Sequence, residues 1–207
     1  MRIIDALADL VLGSTCPGCD LGSWGICARC ASSLDVSVHI ASRFTGLTIV
    51  AANAYRPVLE HAIPRYKDDG ALHLEPVLAA RLARAVAGLN PPEGSVLVPV
   101  PSRPSAVRAR GFDHGARLSA TAAHQIGLTS RRLLRRKDRG KDQQGLGLSE
   151  RKHNVASTMR AAGRVAAPVV LVDDIVTTGA SLQEAAKALA SAGITVLGAA
   201  VIASAEH

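Results

Sequence analysis

Val169-Val170-Leu171-Val172-Asp173-Asp174-Ile175-Val176-Thr177-Thr178-Gly179-Ala180-Ser181 sets how the rest of the chain is read. Four apolar residues open it, three of them β-branched, the pattern of a strand buried on both faces of a parallel sheet. Two carboxylates stand at the strand's C-terminal end, and a short turn rich in hydroxyls and glycine follows. Residues 182–192, rich in Ala, Leu, Gln, Glu and Lys, read as a helix. A strand, a turn and a helix in that order put the turn at the carboxyl edge of the sheet, where open α/β folds bind ligands. Backbone N–H groups of the turn and the first helical residues have no partner within the helix, and with the helix dipole they suit a phosphate. The acids would repel a phosphate and suit hydroxyls or a cation instead. Together these preferences describe a sugar phosphate. Two plainer readings stand beside this one: Ser181-Leu182-Gln183-Glu184 is also a capping box, and the acids could be a solvated strand end.

Working outward, residues 195–203 form one more apolar strand. Residues 95–100 form another, closed by Pro99-Val100-Pro101, and residues 47–54 read as the first strand of the main domain. Helices are expected over 72–89, with Pro76 tolerable in the first turn, and over an Ala-rich run from Asp113 to about Ile126. A short strand is possible at Leu133-Leu134. Between the first strand and the first long helix, residues 55–70 form a compact segment ending in Arg65-Tyr66-Lys67-Asp68-Asp69-Gly70. Strands and helices alternate, so the fold class is α/β, a parallel sheet flanked by helices. Residues 32–44 read as a linker, and residues 1–12 space Ile3, Ile4, Leu7, Leu10 and Val11 as a short amphipathic helix. The expected division is an N-terminal module over 1–44 and a main domain over 45–207.

That N-terminal module holds all four cysteines, as Cys16-Pro-Gly-Cys19 and Cys27-Ala-Arg-Cys30. Two C-x-x-C pairs seven residues apart suit one tetrahedral zinc ion with four thiolate ligands, a structural site with no position left for water. Two disulfides are the alternative, disfavoured in a cytosolic chain, and a thioredoxin-like redox pair would not explain the duplication.

The 207 residues are 48% hydrophobic but only 2% aromatic, so Ala, Val and Leu must fill the core. No apolar run approaches the ~18 residues of a membrane helix, and the first 13 residues lack a cleavable-signal pattern, so a cytoplasmic protein with no membrane insertion is expected. The net charge of +7 is concentrated. Residues 131–152 carry nine Lys or Arg against three acids, a net +6. Such a segment suits a polyanion, either pyrophosphate or nucleic acid, or is a solvated basic loop. Few aromatic residues offer stacking platforms, so any binding of single-stranded DNA would be electrostatic.

The opening segment resembles the phosphoribosyl pyrophosphate (PRPP) signature of type I phosphoribosyltransferases, with Ser181 where that family usually has Thr. The resemblance implies that Asp173 and Asp174 face ribose hydroxyls and stabilise charge at the anomeric carbon. It implies that Ile175, Val176, Thr177, Thr178, Gly179, Ala180 and Ser181 form the loop around the 5′-phosphate. Mg²⁺ would accompany PRPP, and Lys67, in a Tyr-Lys ahead of glycine, resembles a pyrophosphate-loop residue. Further motifs narrow the family. Val98-Pro99-Val100-Pro101, then Arg110-Gly111-Phe112-Asp113, then Gln144, Leu148-Ser149-Glu150-Arg151 and Asn154 resemble the ComF family, as do the cysteine pairs. Asp113 and His114 depart from the Asn and Gln usual there, which leaves the role of that turn open. His114, His124 and His153 are read as surface residues. ComF proteins are phosphoribosyltransferase-like and linked to DNA uptake in competence. The implied function is phosphoribosyl transfer to an unnamed acceptor with release of pyrophosphate. The alternative is a non-catalytic PRPP or nucleotide sensor that grips single-stranded DNA or a DNA-uptake or helicase partner.

Overall fold

The computed structural model describes residues 15–34, 37–44, 47–136 and 158–205. The expected helix over 1–12 and most of the basic segment, residues 137–152, lie outside them, as do His153 and Asn154. Among the described residues a six-stranded sheet runs in the order β1-β2-β8-β7-β3-β4. Its strands are β1 (His39–Phe44), β2 (Leu47–Ala54), β3 (Val96–Pro99), β4 (Thr129–Ser130), β7 (Val169–Val176) and β8 (Val196–Ser204). All neighbours pair in parallel except β1, which runs antiparallel to β2. The α/β class and the mostly parallel sheet read from the sequence are the fold observed.

Both sheet faces are covered, which is why the central strands are apolar without alternation. Val170 and Val172 of β7, with Leu97 and Ile202, meet the first core. There they pack on α2 (Pro57–Lys67), α3 (Glu75–Ala87) and α5 (His114–Gln125). Val169 and Leu171 point the other way, with Val98 and Val201, onto α6 (Ala180–Ala190). The β5–β6 pair (Leu134–Arg136 and Met159–Ala161) closes that second core with Leu134 and Met159. Small side chains let these layers approach closely, as composition requires. A Cβ on Gly198 of β8 would lie 2.9 Å from the Thr48 carbonyl oxygen.

The expected linker over 32–44 is corrected. Ala28–Ser32 forms a helical turn (α1), and His39–Phe44 is the antiparallel edge strand, so sheet pairing crosses the expected 44/45 boundary. Residues 55–70 contain a full helix, α2. Pro57 starts it in the first turn, where a missing N–H costs nothing, but Pro64 inside it masks the helical pattern. A second short helix, α4 (Pro104–Arg110), likewise starts on proline and ends on Gly111 at φ +77°. The long helix expected over 72–89 begins as a 3₁₀ turn at Leu72–Leu74 and becomes α-helical at Glu75, with Pro76 in its first turn.

Candidate functional site: a crevice at the carboxyl edge

The chain leaves β3 toward β4 on one side, while β7 leads to β8 on the other. The crevice between the carboxyl ends of β3 and β7 is therefore the topological switch point, the place where open α/β sheets leave room for a ligand. A cavity of about 250 Å³ occupies it. Asp173, Asp174 and Ser181 line it from β7 and α6, and Lys67 reaches it from the end of α2. Ser102, Arg103, Arg110 and His114 line the opposite wall, and Arg136 enters from β5.

The strand continues through both acids to Val176, so pairing with β8 fixes their backbone. Each carboxylate also accepts the next residue's N–H: Asp174 N donates to Asp173 Oδ1 at 2.9 Å, and Ile175 N to Asp174 Oδ1 at 2.8 Å. The two acids then differ. Lys67 Nζ donates to Asp174 Oδ2 at 3.1 Å, and His114 Nε2 lies 3.3 Å from the same oxygen. Burial alone would push Asp174 up, but His114 and the Lys67 charge hold it below the ordinary carboxylate range. Burial and the adjacent Asp174 anion push Asp173 well above that range. Folding thus places one firm anion and one reluctant one side by side.

Past the acids, Gly179 caps α6 at φ +70°, a left-handed conformation that glycine adopts without cost. Thr177, Thr178 and Ala180 are exposed around it, and Ser181 faces the cavity. Side chains of Ile175 and Val176 turn into the two cores, so only their backbone belongs to the loop. The capping-box alternative does not form. Gly179 is the cap residue, and Glu184 instead binds the backbone N–H groups of Thr158 and Met159, fixing the start of β6 to α6.

About the cysteines, the four Sγ atoms lie within 4.8 Å of one another, and Cys19 and Cys27 are 3.7 Å apart. Zn–S bonds of about 2.3 Å in a tetrahedron put sulfurs about 3.8 Å apart, so the set fits zinc. No disulfide joins them. Burial would raise the Cys16 thiol, yet N–H groups of Cys27 and Gly18 pull it down to about 7, the direction a thiolate ligand needs. Burial and the neighbouring thiols push Cys30 up to about 12. Gly18 is required here by close approach and not by its φ, since a Cβ would lie 2.8 Å from Cys30 Sγ and 2.9 Å from Val58 Cγ2. The knuckle docks on α2, where Arg65 pairs with Asp20 at 2.9 Å and His61 Nδ1 meets the Pro17 carbonyl at 3.0 Å.

The segment around β7 also has a counterpart in sequence. Residues 123–207 match the phosphoribosyl transferase domain. The matched span carries β7, the acid pair, the Gly179 turn and α6, whereas Lys67, His114 and the cysteines lie outside it. No curated protein matches the sequence. Among solved structures, the glutamine PRPP amidotransferase from B. subtilis is similar over 61% of this chain and 25% of its own, at 19% identity and TM-score 0.43. Orotate phosphoribosyltransferase from Aeropyrum pernix is similar over 66% and 61%, at 21% identity and TM-score 0.37. An adenine phosphoribosyltransferase is similar over 84% and 88%, at 16% identity and TM-score 0.43. The chain spans about a quarter of the length of the first of these. The chain is phosphoribosyltransferase-like, and among its described residues no helix is long and apolar enough to cross a membrane.

Within this crevice, sequence reasoning set His114 aside as a surface residue. It is 4% exposed and sits against Asp174. The available signal was local: a histidine directly after Asp113, which caps α5 by accepting the Ala116 N–H, starts a helix at the carboxyl edge. Arg117 of the same helix is committed elsewhere, 2.6 Å from Glu75.

Proposed function

We propose that the crevice binds PRPP with Mg²⁺ and that the protein transfers its phosphoribosyl group to an acceptor with release of pyrophosphate. One observation carries this reading: the signature acids and Ser181, just past the Gly179 turn, share a single cavity with Lys67, Arg103, Arg110 and Arg136. The acids suit ribose hydroxyls, the turn and the amides of α6 suit the 5′-phosphate, and the cations suit pyrophosphate. Carboxylate oxygens are the hard donors Mg²⁺ prefers, and the ion would neutralise charge on the departing group. Asp173 and Asp174 would offset positive charge developing at the anomeric carbon. The four cysteines would hold zinc as a brace and take no part in transfer.

The finer assignment, to the ComF family and its cytoplasmic role in DNA uptake, rests on the motifs quoted above. A second reading has its own support: Arg131, Arg132 and Arg135 are exposed on the segment that leads to Arg136, a residue of the crevice wall, as a polyanion surface would be. In that reading the protein senses PRPP or a nucleotide and holds single-stranded DNA or a helicase partner. Calorimetric titration with PRPP and Mg²⁺, followed by a screen for pyrophosphate release over bases and amines, tests both. Binding with turnover is the expected result. Binding without turnover, with oligonucleotide affinity, favours the sensor, and no binding to the wild type sinks both.

A further inference from the structure

Two donors of unlike character meet at Asp174 Oδ2. Lys67 is the last residue of α2, its side chain is 31% exposed, and it reaches the carboxylate on a flexible four-carbon stem. His114 is the first residue of α5, and its ring is 5% exposed. Its other nitrogen, Nδ1, lies 3.0 Å from Arg110 Nη1 and 3.5 Å from Ser102 Oγ. A guanidinium only donates, so Nδ1 must accept, and the ring proton sits on Nε2, facing Asp174. Arg110 is itself held by Asp68 at 3.2 Å. Asp68, Arg110, His114 and Asp174 thus form a directed chain from the surface to the acid pair.

We propose that His114 is a positioning residue of the crevice, holding the Asp174 carboxylate through Nε2–H when Lys67 is drawn to an anionic ligand. An anion entering the cavity attracts Lys67, the movable cation of the pair. Asp174, with its side chain 7% exposed, would then lose a donor on the oxygen facing the ligand. Unpartnered, the carboxylate would rotate about its own side-chain bonds toward another donor and turn Oδ2 away from the cavity. His114 prevents that, since its ring is locked from both sides. The proposal deepens the reading of the crevice as a PRPP site and depends on it only for the identity of the anion.

The test pairs NMR of the free protein with binding by variants. Imidazole ¹⁵N shifts should show the proton of His114 on Nε2, and Arg110→Met should release that preference. A wild-type ring protonated on Nδ1 instead overturns the proposal whether or not PRPP binds. A glutamine can accept from Arg110 and donate to Asp174 just as the ring does, whereas leucine can do neither. His114→Leu should weaken PRPP binding at least about tenfold, while His114→Gln should stay within about threefold of wild type. Equal binding by His114→Leu and wild type overturns the proposal, as does a His114→Gln no better than Leu. Should the Leu variant fail to fold, Arg110→Met with its His114 shifts intact is the overturning result. A wild type that binds no PRPP, with the Nε2 proton in place, removes the functional reading and leaves the His114–Asp174 contact standing.

Discussion

Asp173 and Asp174 are neighbours with opposite tendencies, and that difference can be measured. The folded value of Asp173 is raised, so folding favours its neutral form. Stability is lost as pH rises from the ordinary carboxylate range, about 4, through the raised value. Asp173→Asn keeps the Oδ1 acceptor for the Asp174 N–H and removes the reluctant charge. At pH 7 it should raise Tm by at least about 2 °C, with the gain vanishing below about pH 4, while PRPP affinity falls roughly tenfold or more. Thermal melts at both pH values, with calorimetry, check this. A lower Tm at pH 7 would mean that the charge is better compensated than its surroundings imply. Gly179→Val should damage both stability and binding, because a β-branched residue is strained at φ +70°. Equal affinity for ribose 5-phosphate in that variant and wild type would remove the turn from the site.

At the scale of elements, two attachments decide where site residues stand. The cysteine knuckle is docked along α2, the helix that ends in Lys67, through Gly18, His61 and Arg65. Gly18→Ala forces its Cβ against Cys30 and Val58. It should cost about 1–3 kcal/mol and weaken zinc retention, readable as faster transfer of zinc to a chromophoric chelator. Unchanged transfer would show that the contact yields freely. The second attachment is Glu184, whose carboxylate ties α6 to Thr158 and Met159. Glu184→Ala should speed hydrogen exchange of β6 amides without altering β8, since the loss falls on one strand pair. Exchange spread evenly over the sheet would contradict this local role.

For the whole molecule, the helical layer on one sheet face is pinned by a polar knot. Glu75 at the start of α3 accepts from Tyr66 at 3.0 Å, Arg117 at 2.6 Å and Thr121 at 2.8 Å, joining α2, α3 and α5. Burial would raise its value, but these donors hold it below the ordinary glutamate range. A depressed acid contributes stability that is fully present above the unfolded value, about 4.3, and is lost as pH falls through the folded one. Asp174 acts in the same direction. Global stability should therefore fall below about pH 4, and Glu75→Gln should flatten that fall while costing roughly 2–4 kcal/mol at neutral pH. Denaturant melts between pH 3 and 7 read both quantities, and an unaltered pH slope in the variant would place the acid sensitivity elsewhere.

The fold class and the position of the acid pair were legible in the linear chain because both rest on local rules. A buried parallel strand is continuously apolar, and Val169 to Val172 say so without help from the rest of the chain. The cysteine cluster was legible for a similar reason, since paired C-x-x-C spacing fixes what the thiolates can reach. Local rules failed where a proline interrupts a periodic pattern, as at Pro64 in α2, and where pairing comes from a distant strand, as for His39–Phe44 on β2. They failed most plainly at His114. The Asp113 cap places it at a helix start but does not say that it is buried; its partners are Asp174, 60 positions on, and Arg110, whose guanidinium returns from the preceding helix. Sequence alone determined which chemical groups the sheet's edge would present. Only the tertiary structure decided which of them share an oxygen atom, because that depends on where three separate elements meet over one crevice.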